Sequence, residues 1–210
     1  MVSLSNRTSM ALFSDPMDHY SHRVRIVMEE KGVTSEIIDS DSNNLTSEIL
    51  EVSPYAELPV LVDRDVCLYD SLILMEYLDE RFPHPPLLPV YPVSRAQFRL
   101  ILQRIEKDWA ENLDILENSS STKPQINKAR NDLQKNISNS LSLFDNKKFF
   151  RNDEFSVLDS VITPILLRLE YHQIKIPNNK GSKPLFDYIE RMQDLPSVKE
   201  SFTSLEIELL

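Results

Sequence analysis

The first 83 residues alternate between short apolar runs and stretches whose apolar residues recur every three or four positions. Met10–Phe13 is a short apolar run that ends at the turn residues Ser14–Pro16, which predicts a strand followed by a turn. Tyr20–Lys31 has helical spacing and is followed by Gly32 as a stop signal, so it predicts a helix. The later runs predict a strand, a short helix, a hairpin and a helix, at residues 35–39, 45–52, 58–69 and 71–82. The pattern therefore indicates a mixed unit in the order β-α-β-α-β-β-α.

Prolines separate this unit from the rest of the chain. Pro83–Pro92 holds five prolines in ten residues, which excludes a regular helix or a central strand. We therefore predict a first domain at residues 1–83, a linker at 84–93 and a second domain at 94–210. The second domain is predicted to be helical throughout, with an apolar stripe at 98–116, a helix opened by the capping sequence Thr122–Gln125, a helix at 157–170 and short helices at 185–193 and 197–205.

The net charge of −10 lies entirely in the first domain. The 210-residue chain carries 33 Asp+Glu and 23 Lys+Arg, and residues 1–83 alone carry 16 of those acids and 6 of those bases. Phosphate recognition needs a basic face, so this balance argues against nucleic acid as a direct partner. An acidic domain favours a basic protein patch as partner and mildly repels anionic small molecules.

The chain offers little for redox or metal chemistry. Cys67 is the only cysteine, so no disulfide forms within the chain, which fits a reducing compartment. His19 and His22 have a spacing compatible with a metal but no third ligand, so we predict surface histidines and no metal. Met1–Asn6 lacks the apolar core of a signal peptide, and the longest strongly apolar stretch, Val161–Leu167, is too short for a membrane span. We therefore expect a cytoplasmic protein with no membrane contact and no cofactor.

Local sequences in both domains resemble those of the glutathione transferase superfamily. Phe155–Asp159 matches the capping box that opens a core helix there, in which Ser156 and Asp159 bond each other's backbone N–H groups. Leu58–Pro59 matches the superfamily's cis-proline site, and Asp70–Ser71 stands where it has an acid followed by serine. The resemblance implies a glutathione transferase-like fold, with an α/β thioredoxin-like N-terminal domain and an all-α C-terminal domain.

Several segments carry a narrower resemblance: Glu76–Pro86, Pro89–Pro92 and Arg104–Trp109, with shorter matches at Leu12–Ser14 and Tyr20–Val27. They are similar to the stringent starvation protein A family, bacterial RNA polymerase-associated proteins built on the transferase fold. The resemblance implies a homodimer without transferase activity that binds polymerase holoenzyme, through the sigma factor and the largest subunit, and changes promoter use under stress. Pairing with a paralogue in place of a second copy stays open.

The resemblance also places the remains of a glutathione site in the first domain. Asp18 occupies the position that carries Cys or Ser in several transferase classes, and a carboxylate there has no proton to donate at pH 7 and repels a thiolate. The hydroxyls of Ser14, Tyr20 and Ser21 remain nearby, although each also fits a turn or a helix start. We interpret as vestigial glutathione-site positions Asp18, Leu58, Pro59, Asp70 and Ser71, with simple helix capping as the plainer interpretation of the last two. The alternative function is an active glutathione transferase or related thiol-dependent enzyme.

The proline-rich linker carries the predicted partner contact. A polyproline segment has no internal hydrogen bonds and loses little entropy on docking, so it offers a preformed apolar surface. The resemblance implies that Pro83, His84 and Pro85 form the contact surface. To these we add the neighbouring Pro86, Tyr91 as an aromatic anchor, and Glu80, whose carboxylate suits basic residues of the partner. Without the resemblance, a histidine in a proline linker is more simply a solvated spacer.

Overall fold

The computed structural model describes residues 9–144 and 147–209. The chain forms two compact units, one running up to Pro86 and including Pro196–Leu209, the other comprising Leu87–Leu195. The sequence-based division into 1–83, 84–93 and 94–210 differs in two respects: it assigned the C-terminal residues to the helical domain, and its linker is divided between the two units after Pro86. The segment Met1–Asn6 considered above lies outside the described residues.

A four-stranded mixed sheet forms the centre of the first unit. Its strands lie in the order β2-β1-β3-β4 and are β1 Ala11–Ser14, β2 Glu36–Asp39, β3 Val60–Asp63 and β4 Val66–Tyr69. Strand β1 runs parallel to β2 and antiparallel to β3, and β3 and β4 form the predicted hairpin. Every residue of the two central strands is buried, which is why β1 and β3 are apolar runs and do not alternate.

Three helices of the first unit follow the predicted order and begin at oxygen-bearing caps. They are α1 His19–Glu30, α2 Ser47–Val52 and α3 Ser71–Arg81. The side chains of Asp18, Thr46 and Asp70 accept backbone N–H groups of the respective first turns. Buried apolar side chains of the sheet, α1 and α3 make up the core, among them Leu12, Leu61, Val24, Ile26, Leu74 and Leu78.

Two short helices from the end of the chain complete this unit. Helix α9 (Pro196–Ser201) packs on α1, and α10 (Ser204–Leu209) follows it, where one helix over residues 197–205 was predicted. Thr203 precedes α10, where its hydroxyl accepts from the Glu206 N–H at 3.1 Å and donates to the Pro16 carbonyl at 2.8 Å. This packing is the reason why the C-terminal residues belong to the first unit.

Buried charge joins α10 to α1. Glu206 is fully buried, with one carboxylate oxygen 2.7 Å from Nη2 of Arg25 and the other 2.9 Å from Nδ1 of His22. His19 is also buried, so the prediction of surface histidines is wrong. Periodicity within α1 could not show this, since His22 is covered by residues from the far end of the chain.

The second unit is helical. Its helices are α4 Pro92–Ile105, α5 Glu111–Glu117, α6 Lys123–Asn139, α7 Val157–Leu167 and α8 Lys183–Asp194. The stripe predicted as one long helix is α4 and α5 joined by a π-helical turn at Glu106–Ala110. At this turn the Asp108 carbonyl accepts the side-chain amides of Asn112 and Asn136, at 2.9 and 2.8 Å. Side chains from two helices thus bond the carbonyl at the point where the regular α-helix is interrupted.

Ser156 and Asp159 form the predicted capping box at the start of α7. The Asp159 carboxylate accepts from the Ser156 backbone and hydroxyl, both at 2.9 Å, and also from the Phe150 N–H at 2.7 Å and the Tyr188 hydroxyl at 2.9 Å. Burial raises the pKa of Asp159 to about 6, although each of these bonds lowers it. The box therefore joins three segments of the second unit and not α7 alone.

Candidate functional site

The segment that follows α3 is exposed. The residues of the first unit that were predicted to meet a partner are all exposed, namely Glu80, Pro83, His84, Pro85 and Pro86. The His84–Pro85 peptide bond is cis. The structure therefore leaves these side chains accessible in the unit that carries them.

The buried side chain of Lys31 hydrogen-bonds to this segment. Lys31, at the end of α1, places Nζ 2.5 Å from Oδ1 of Asp79 and 2.7 Å from the carbonyl oxygen of Phe82, and it also donates to the carbonyl oxygen of Pro85. An ammonium has three N–H donors, so these bonds use all of them. The sequence prediction missed Lys31, but it contained a signal: Asp79 lies one turn beyond the buried Met75, on the apolar face of α3.

Tyr91 belongs to the second unit. It stands immediately before α4 and is 77% exposed, and its neighbours Val90 and Val93 are exposed as well. The carbonyl of Pro89 accepts from Nε of Arg95 at 2.9 Å, which fixes the chain on the approach to α4. Tyr91 is thus an accessible aromatic side chain carried by a different unit from His84.

Asp18, which the resemblance aligns with the Cys or Ser of several transferase classes, caps α1. Its carboxylate accepts from the N–H groups of Tyr20 and Ser21 at 3.0 and 2.8 Å. Burial raises the pKa of Asp18, while the His19 charge and these backbone bonds lower it. The nearby hydroxyls are engaged: Ser14 accepts from Nη1 of Arg25 at 2.6 Å and Ser21 accepts from the Asp15 N–H at 3.0 Å. The arrangement is that of a helix start.

The other positions interpreted as vestigial lie at a cis peptide bond and at the start of α3. The Leu58–Pro59 bond is cis, as the resemblance implied. Asp70 caps α3 through the N–H groups of its first turn, at 2.8 and 3.2 Å. The Ser71 hydroxyl is buried and accepts from Nε and Nη2 of Arg23, at 2.9 and 2.6 Å. Arg23, which the sequence prediction did not select, is therefore the partner of the Ser71 oxygen.

Comparison with known proteins identifies the family. Residues 12–86 match the family model described as glutathione S-transferase, N-terminal domain. The chain is 43% identical to the stringent starvation protein A homolog of Coxiella burnetii, over 97% of this chain and 96% of that one. The corresponding protein of Haemophilus ducreyi is 42% identical, over 95% of this chain and 92% of its own length. The chain belongs to the stringent starvation protein A family.

Solved structures place this family on the glutathione transferase fold. A Tau class glutathione S-transferase from mango has a TM-score of 0.80 at 22% identity, covering 95% of this chain and 94% of its own. A ternary complex of BphK, a bacterial transferase, has a TM-score of 0.81 at 19% identity, covering 91% and 96%. These likenesses confirm the predicted fold class.

Within residues 9–144 and 147–209, no helix is both long and apolar enough to cross a bilayer. In the same part of the chain, no group of three or more His, Cys, Asp or Glu side chains is placed to hold a metal ion.

Proposed function

We propose that this chain is an RNA polymerase-associated transcription regulator of the stress and starvation response. The observation that carries the proposal is the accessible segment from Glu80 to Pro86, in a chain 43% identical to a stringent starvation protein A homolog. In this proposal a cytoplasmic homodimer binds polymerase holoenzyme at the sigma factor and the largest subunit. His84 and the flanking prolines make the contact, and Tyr91 supplies a second one from the other unit.

The charge of the segment suits a basic protein surface. Glu76 and Glu80 lie one turn apart on α3, so two carboxylates share one side of the helix that leads into the prolines. Polymerase surfaces that otherwise face DNA are basic, and an acidic partner complements them. Charges at the rim of such an interface act mainly on the association rate, and salt screens them.

Two contacts support a function without transferase activity. The carboxylate of Asp18 replaces the thiol or hydroxyl that would activate glutathione, and it repels a thiolate. The Ser71 side chain is buried, with its oxygen accepting from the guanidinium of Arg23, so the hydroxyl is not exposed to a ligand.

Co-elution with purified bacterial RNA polymerase holoenzyme at physiological salt tests the proposal. The wild type should bind, and the folded variant His84→Ala plus Tyr91→Ala should lose binding. Glu80→Gln should slow association at low salt, whereas Glu51→Gln, the same change at an exposed position of α2, should not.

The outcomes of the co-elution experiment test the proposed function and the proposed contact residues separately. Binding by wild type and double variant alike would keep the regulator and reject the proposed contact residues. Absence of binding by the wild type would reject the regulator.

An active glutathione transferase is the second candidate, favoured by the cis Leu58–Pro59 bond beside a capped α3. It requires glutathione binding that depends on Ser71. Calorimetry at millimolar glutathione, with wild type and Ser71→Ala, decides between the two. The regulator proposal expects no binding heat from either protein.

A further inference from the structure

We infer that Lys31 is a positioning residue, which holds the His84 loop in the conformation that its partner binds; the inference rests on the proposed function. The His84 loop is defined here as residues Phe82 to Pro86. The Lys31 side chain is 0% exposed, so it touches no partner itself. Any effect of Lys31 on binding must therefore pass through the loop.

Lys31 hydrogen-bonds to the backbone of the loop at two points. Its ammonium donates to the carbonyl oxygens of Phe82 and Pro85, which stand on either side of Pro83 and His84. Fixing both carbonyls fixes the span between them. Pro83 and His84 remain exposed on that span.

The proline rings restrict the φ angles within the loop, but the loop has few groups that can attach it to the rest of the unit. Pro83, Pro85 and Pro86 have no backbone N–H, so His84 carries the one donor among residues 83–86. The side chains of these four residues are exposed, so apolar burial does not order them either. The loop's carbonyl oxygens are therefore its main means of attachment to the rest of the unit, and Lys31 donates to two of them.

Asp79 provides the counter-charge that allows the Lys31 side chain to be buried next to the loop. A buried ammonium without a counter-charge is strongly unfavourable, and Asp79, itself buried, supplies a carboxylate at 2.5 Å. The carboxylate offsets the charge, and the remaining two donors are then directed at the loop. The division of roles predicts that the two residues differ in their effect on binding.

The test compares Lys31→Met combined with Asp79→Leu against Asp79→Asn alone. The double variant removes both charges and all three donors, so that no charge is left buried without its partner. Asp79→Asn leaves Lys31 bonded to both carbonyls. Two readouts are taken on protein shown by urea denaturation to be folded: the affinity for polymerase holoenzyme, and the ¹⁵N relaxation of the Phe82 and His84 amides.

We expect the folded double variant to bind holoenzyme at least tenfold more weakly than wild type, with a mobile His84 amide. Asp79→Asn should bind within threefold of wild type. If the pair acted only through overall stability, affinity would follow the free energy of unfolding. Asp79→Asn, which leaves the ammonium buried without its counter-charge, would then lose more affinity than the double variant. Should the double variant fail to fold, Lys31→Met alone is measured at a temperature where it is folded, with the same expectation as for the double variant.

Binding by a folded Lys31 variant within threefold of wild type would overturn the inference. If the wild type does not bind polymerase, the proposed function fails, and the ¹⁵N relaxation data alone test whether Lys31 anchors the loop. A His84 amide that becomes mobile on loss of Lys31 then supports the anchoring, and one that stays rigid overturns it.

Discussion

Asp159 allows the balance between burial and hydrogen bonding in the second unit to be measured. Its carboxylate is fully buried and accepts four hydrogen bonds of 2.7–2.9 Å, yet burial raises its pKa from 3.8 to about 6. Asp159→Asn keeps the size of the side chain and removes its titration. The variant therefore isolates the contribution of this one proton.

The direction in which the free energy of unfolding changes with pH depends on whether the folded or the unfolded protein binds the proton more tightly. A carboxyl group with a higher pKa in the folded than in the unfolded protein contributes stability at low pH, and that contribution is lost as the pH rises through about 6. The difference between 3.8 and about 6 corresponds to about 3 kcal/mol in the free energy of unfolding. Of this, about 2 kcal/mol falls between pH 4.5 and pH 7.5.

Urea denaturation of wild type and Asp159→Asn across that pH range measures the effect. The free energy of unfolding of the wild type minus that of the variant should fall by about 2 kcal/mol from pH 4.5 to pH 7.5. Taking the difference cancels other groups whose pKa is raised by burial, such as Asp18 and Glu29. A difference that stays constant with pH would refute the reasoning, because it would mean that the four hydrogen bonds fully offset the cost of burying the charge.

Substitutions at Ser71, Asp70 and Glu206 test three further contacts of the first unit by urea denaturation. Ser71→Ala should lower the free energy of unfolding by about 1–3 kcal/mol, because buried Arg23 loses one acceptor; an unchanged value would contradict that contact. Asp70→Ala should cost about 1 kcal/mol through loss of the α3 cap, and Asp70→Ser should restore most of it. Glu206→Gln should cost about 3–5 kcal/mol by removing the counter-charge of the buried Arg25 guanidinium, whereas Glu208→Gln, exposed on the same helix, should change stability by less than about 0.5 kcal/mol.

Local patterns predicted the parts of the fold that depend on neighbouring residues. Apolar spacing reports which face of a strand or helix is buried, so the order of elements in both units followed from it. The capping box of Ser156 and Asp159 involves residues three positions apart and was legible for the same reason. The cis bond at Leu58–Pro59 was expected from the resemblance and not from the residues alone.

Charge pairing between distant positions could not be predicted in this way. Lys31 and Asp79 are 48 residues apart, and Arg25 and Glu206 are 181 apart. Periodicity describes each helix by itself, and it carries no information about which distant segment supplies the counter-charge. The residues that the prediction missed beneath the His84 loop and beside Ser71 are therefore lysine and arginine side chains, which sequence patterns ordinarily place in solvent.

The packing of α9 and α10 on α1 has a consequence for the order in which the protein is made. Synthesis runs from the N-terminus, so α1 leaves the ribosome long before Glu206 is translated. All of Leu87–Leu195 is also made in the interval. Until Glu206 is made, the guanidinium of Arg25 lacks this counter-charge, while the helical unit already has its complete sequence and can fold. The unit synthesised first is thus the last that can be completed.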